Sequence, residues 1–253
     1  MDYKQRQAQQ HQEDVALTRA LLWIGAAIVL EGLLVFLNRF YINFYPQEID
    51  LALFLQGALK VVRIGGLTVA GLCILWAAVL AFKNSKPTLP LILTIAGGAL
   101  SICSHVILKF KDTGMSMLFW LVIAWAVLAV VYYIYQKEFF VSAASVGLSI
   151  LGMWFVRYSN GFSYEVAIIL ATVVIAMGVT VWIKKNDGAI ALGTPAPFFS
   201  EDCSYSVVLV SCVAALAVLI ASMVLGASIA YYLIFAMMAW IFGLFVYYTV
   251  KLM

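Results

Sequence analysis

Within or at the outer ends of the apolar runs, six side chains of types that can bind an ion or an anion stand at similar depth: Glu31, Arg39, Lys60, Arg63, His105 and Arg157. A carboxylate or imidazole inside a bilayer can carry a proton or cation, and converging guanidinium and ammonium groups can hold a lipid phosphate. Glu31 is the one acid well inside an apolar run. A charge there costs about 2.5–3.5 kcal/mol on insertion scales, so Glu31 is expected to face other helices, with Arg63 or His105 as its partner. The competing reading is structural. Arg39, Lys60, Lys109 and Arg157 fall where apolar runs end, and long cationic side chains at such places snorkel to the headgroups while their stems stay in lipid.

Other chemistry is poorly supplied. Two histidines, His11 and His105, are too few for a multi-histidine metal site, and no HExxH, GxSxG, P-loop or GxGxxG stands in a fitting context. A single intramembrane acid leaves no carboxylate pair for acid–base work. No catalytic, cofactor-binding or metal-ligating residue is expected, and an enzyme acting on lipid headgroups would have to rely on Glu31 with His105. Cys73, Cys103, Cys203 and Cys212 have no CxxC spacing and read as small buried thiols.

The elements that position these groups follow from composition. The chain is 65% hydrophobic and 11% charged, against roughly 25% charged in soluble domains, so hydrocarbon is the expected solvent. Apolar runs of about 20 residues then read as spanning helices, since each residue rises about 1.5 Å through a core about 30 Å thick. Eight such runs can be drawn, at 16–40, 64–82, 89–108, 115–135, 139–156, 164–183, 205–225 and 227–250. The expected fold is an all-α integral membrane protein of about eight transmembrane helices. Its weakest boundary is the last, where Gly226 alone separates two runs. The polar opening segment 1–15 carries no A-x-A cleavage site, so the first helix is expected to stay attached.

Lys and Arg placement orients the spans. With the N-terminus inside, Lys4, Arg6, Arg19, Lys83, Lys86, Lys137, Lys184, Lys185 and Lys251 lie on the inner side. Arg39, Lys60, Arg63, Lys109, Lys111 and Arg157 lie on the outer side. Both termini are therefore expected in the cytoplasm, in a plasma or inner membrane. The net charge of +3 gives no reason to invoke nucleic acid.

The chain also resembles itself. AWAVLAVVYY, starting at Ala124, matches AWIFGLFVYY, starting at Ala239, at an offset of 115, and FLNRFYINF matches WFVRYSNGF at an offset of 118, which lays Arg39 on Arg157. A four-span unit repeated once, with parallel halves at 16–135 and 136–253, is the expected organisation. The first half carries an insertion near 47–63, whose apolar residues Leu51, Phe54, Leu55, Ala58, Leu59 and Val62 recur at three and four. It reads either as an amphipathic helix in the outer interface beginning after Pro46, or as an extension of the second span. The second half has the longer linker, GAIALGTPAPFFSED. Small residues four apart, Gly66 with Ala70, Gly97 with Ser101 and Ala143 with Gly147, are expected to let helices approach closely.

With short loops and little encoded chemistry, the expected function is that of a non-enzymatic membrane subunit or scaffold binding membrane lipids or other membrane proteins. The alternative is a small transporter or channel with Glu31, Arg63 and His105 near its pathway. In the aligned halves Glu31 falls on Ser149 and His105 on Ile220, so such a site would be asymmetric.

Overall fold

The computed structural model describes residues 3–82, 88–135, 137–159, 163–185, 199 and 204–252. In hydrocarbon every backbone N–H and C=O must be satisfied inside the chain, and a helix does this within one segment. The described residues contain no strand. Their elements are α1 (Tyr3–Leu37), a π-helical turn (Asn38–Ile42), a 3-10 turn (Pro46–Glu48), α2 (Ile49–Phe82), α3 (Thr88–Ile134), α4 (Lys137–Tyr158), α5 (Tyr164–Lys185), α6 (Tyr205–Leu225) and α7 (Ala227–Leu252). All seven α-helices are long and apolar enough to cross a membrane, which is compatible with an integral membrane protein.

Three boundaries differ from the expected ones. α1 runs back to Tyr3, because the polar opening segment is built of Gln, Arg, Ala and Glu with no Gly or Pro to stop a helix. α2 is continuous from Ile49 to Phe82, so residues 49–63 join the second apolar run in one helix. Pro46 opens this region, and Glu48 caps it by accepting the Tyr45 N–H at 3.1 Å. The third and fourth expected spans run together in α3, but Lys111, at φ 46° and ψ −119°, breaks the helical ladder between them. A Cβ on Gly114 would lie 2.7 Å from the Val106 carbonyl oxygen. Eight residues of unbroken helix would hold these two about 12 Å apart. The chain therefore doubles back at Lys111, and only glycine fits at position 114.

The chain divides into two compact units. One comprises Leu21–Ala126; the other comprises Val127 onward together with the residues up to Ala20. In the first, α2 and α3 meet at small residues. A Cβ on Gly66 would stand 2.6 Å from the Gly97 carbonyl oxygen, and one on Gly97 would stand 3.0 Å from the Gly66 carbonyl oxygen. Ser101 Oγ donates to the Arg63 carbonyl at 2.7 Å across the same contact. Trp23 of α1 meets Trp125 of α3 edge-on at 4.9 Å.

In the second unit α4 packs on α5, α6 and α7. Its buried face combines small and polar residues, Ser142, Ser145, Ser149 and Gly152, with larger apolar ones, Phe139, Met153 and Phe155. Each serine hydroxyl bonds a carbonyl of its own helix, at 3.0 Å for Ser142, 2.9 Å for Ser145 and 2.7 Å for Ser149, which removes the cost of burying it. Cys212 Sγ reaches Ser145 Oγ at 3.5 Å, and a Cβ on Gly152 would stand 2.7 Å from Leu219 Cδ1. These contacts advance in step along both helices, so α4 and α6 run parallel. Gly147, of the third expected small pair, has open space beside it, although Ala143 is buried.

Candidate functional site

Glu31 shares a stripe of α1 with Ala27 and Leu34, each 6% exposed. Glu31 itself is half-buried. Its Oε1 is buried and has no hydrogen-bond partner, and no ion pair to Arg63 or His105 occurs among the described residues. Arg63 contributes its backbone, as acceptor for Ser101, and His105 is half-buried. Lys60 is exposed on α2.

The two aligned arginines have different surroundings. Arg39, on the π-helical turn, forks onto Glu48, with Nη1 to Oε2 at 3.0 Å and Nη2 to Oε1 at 3.4 Å, and donates to the Asn43 carbonyl at 3.0 Å. Its guanidinium lies 4.1 Å from the centre of the Tyr45 ring and 5.2 Å from that of Phe40. Arg157, at the end of α4, lies 5.3 Å from the Tyr158 ring and 4.4 Å from the Tyr231 ring of α7. It borders a recess of about 380 Å³ lined also by Ala227, Ser228 and Tyr232. Glu31, Arg39, Lys60, Arg63 and His105 belong to the first unit and Arg157 to the second.

Sequence reasoning passed over the most deeply buried charge among the described residues. Glu138, in the first turn of α4, is 1% exposed and accepts the Ser204 N–H at 3.0 Å and the Lys251 ammonium at 3.2 Å, both on Oε2. Lys251 also reaches Ser204 Oγ at 3.4 Å, and that hydroxyl lies 3.4 Å from Tyr247 OH. The network ties the start of α4 to the start of α6 and the end of α7. Buried charge is tolerable only when paired and hydrogen-bonded, as it is here. A signal was present: Glu138, Ser142, Ser145, Ser149 and Gly152 recur at four, three, four and three, which places the acid on the inward stripe.

Cys73 and Cys212 are buried and Cys103 half-buried, all as free thiols, while Cys203 and most of the 188–202 linker fall outside the described residues. An apolar groove of about 480 Å³ lies between α6 and α7, bordered by Val210, Ala239, Trp240, Gly243 and Leu244. Comparison with protein-family models, curated proteins and solved structures finds no match for this chain.

Proposed function

We propose that the chain is a non-enzymatic membrane subunit or scaffold that binds protein partners or lipids through its membrane-facing helices. The observation that carries this reading is α2. At 34 residues it is about 51 Å long, well beyond a bilayer core of about 30 Å. Along its first half Leu51, Phe54 and Val62, members of the expected apolar stripe, are exposed, whereas Ala52 and Leu59 are buried. The helix thus keeps one apolar face for its own fold and offers a second to lipid or to another membrane protein.

The same reading includes eight spans, arranged as two parallel halves, with both termini cytoplasmic. The reversal at Lys111 supports dividing α3 into two spans. The repeat is supported by the matched arginines, which lie over the ring that follows each of them at nearly the same distance, 5.2 and 5.3 Å. Orientation is supported by the second unit, where Lys137, Lys184, Lys185 and Lys251 gather at one end and Arg157 stands at the other.

A transporter or channel is the second reading, favoured by one observation: the buried Glu31 Oε1 without a hydrogen-bond partner. Replacing residues 47–62 with a short linker separates the two. Loss of a stoichiometric co-purifying protein from an intact bundle upholds the subunit role. A proton-linked flux that survives this replacement and disappears in Glu31→Gln overturns it.

A further inference from the structure

We propose that the recess at Arg157 is a binding site for a phosphate anion, supplied by the headgroup of an acidic phospholipid. The inference needs only that the chain sits in a membrane and holds for a subunit or a carrier alike.

The internal comparison with Arg39 shows what the site lacks. Both guanidinium groups lie over the aromatic ring that follows them, at 5.2 and 5.3 Å, and over a second tyrosine at 4.1 and 4.4 Å. In the first half the fork of Arg39 is filled by the Glu48 carboxylate and the Asn43 carbonyl. In the second half, among the described residues, no carboxylate or carbonyl meets Arg157. A recess of about 380 Å³ opens beside it instead. A planar guanidinium offers five donors in a geometry that suits a carboxylate or phosphate edge. Clamping it between two rings fixes the fork in place before any ligand arrives.

The rest of the lining matches a phosphate. Ser228, Tyr231 and Tyr232 bring three hydroxyl donors for the several oxygens of a phosphate group, and no acidic side chain is among the described lining residues. Ala227 and Ser228 open the 26-residue α7, whose first-turn N–H groups add to the local positive potential. The place suits a lipid rather than a free ion: Tyr231 is 40% and Tyr232 70% exposed, as amphipathic rings are at headgroup depth, beside the ends of two apolar helices.

The test titrates the full chain, purified in mild detergent, with phosphatidylglycerol, phosphatidylcholine and inorganic phosphate, and reads bound mass by native mass spectrometry. The expected result is one phosphatidylglycerol held about tenfold more tightly than phosphatidylcholine, the worth of one charge-assisted contact. Arg157→Gln should remove that preference and Lys185→Gln should leave it. Should Arg157→Gln fail to fold, Arg157→Lys, which loses the fork, and Tyr232→Phe, which loses one donor, are each expected to weaken it. Arg157-dependent binding of inorganic phosphate at the same affinity upholds phosphate recognition and reassigns the source to the free ion. Equal retention of the two lipids, or retention of phosphatidylglycerol unchanged across the folded variants, overturns the proposal.

Discussion

Lys251 Nζ lies 3.2 Å from Glu138 Oε2, a pair separated by 113 residues in the chain, and the carboxylate it meets is 1% exposed. Such a pair need not stabilise relative to apolar residues of the same size, but removing one partner leaves an uncompensated buried charge. Lys251→Met should therefore destabilise the chain by about 3 kcal/mol, the low end of the usual range because the lysine is partly exposed. Glu138→Leu with Lys251→Met should cost less than the two single changes added together. Thermal unfolding of the four proteins in one detergent checks this; strict additivity would show that the contact carries no coupling.

The Gly66–Gly97 contact makes a contrast between adjacent positions. A Cβ at Gly65 meets nothing within 4 Å, whereas one at Gly66 would stand 2.6 Å from a carbonyl oxygen. Gly65→Ala should be neutral or stabilise by up to about 1 kcal/mol through helix propensity. Gly66→Ala should destabilise by about 1–3 kcal/mol, because the opposing group is backbone and cannot swing aside. Thermal midpoints of the two variants measured side by side decide it, and equal shifts would remove the contact from the packing of α2 on α3.

The proposed division of α3 into two spans at Lys111 predicts a topology. In a chain with its native cysteines replaced, Lys111→Cys and Lys137→Cys should react with an impermeant maleimide from opposite sides of the membrane. Labelling from the same side would mean that the helix between them does not cross.

How far these features were legible depended on their range. The helices could be read from runs of about 20 apolar residues because hydrocarbon imposes that length. The break at Lys111 falls in the gap between the runs drawn at 89–108 and 115–135. Small residues four apart pointed to the close approach at Gly66 and Gly97, although the same spacing at Ala143 and Gly147 leaves open space beside Gly147. The continuity of α2 could not be read from spacing, since an interfacial helix and an extended span have the same periodicity. Glu138 stands one residue before the run 139–156, and its pairing depends on Ser204 and Lys251, which no local pattern connects to it. The difference between Arg39 and Arg157 was equally hidden, because the alignment equates the arginines while only Arg39 has a Glu48 within reach.

Native mass spectrometry of the chain extracted gently from its own membrane tests the subunit role most directly. The predicted result is a second polypeptide bound in fixed stoichiometry, which departs when residues 47–62 are replaced. A chain that leaves the membrane without any protein partner, and that supports a proton-linked flux abolished by Glu31→Gln, would contradict it.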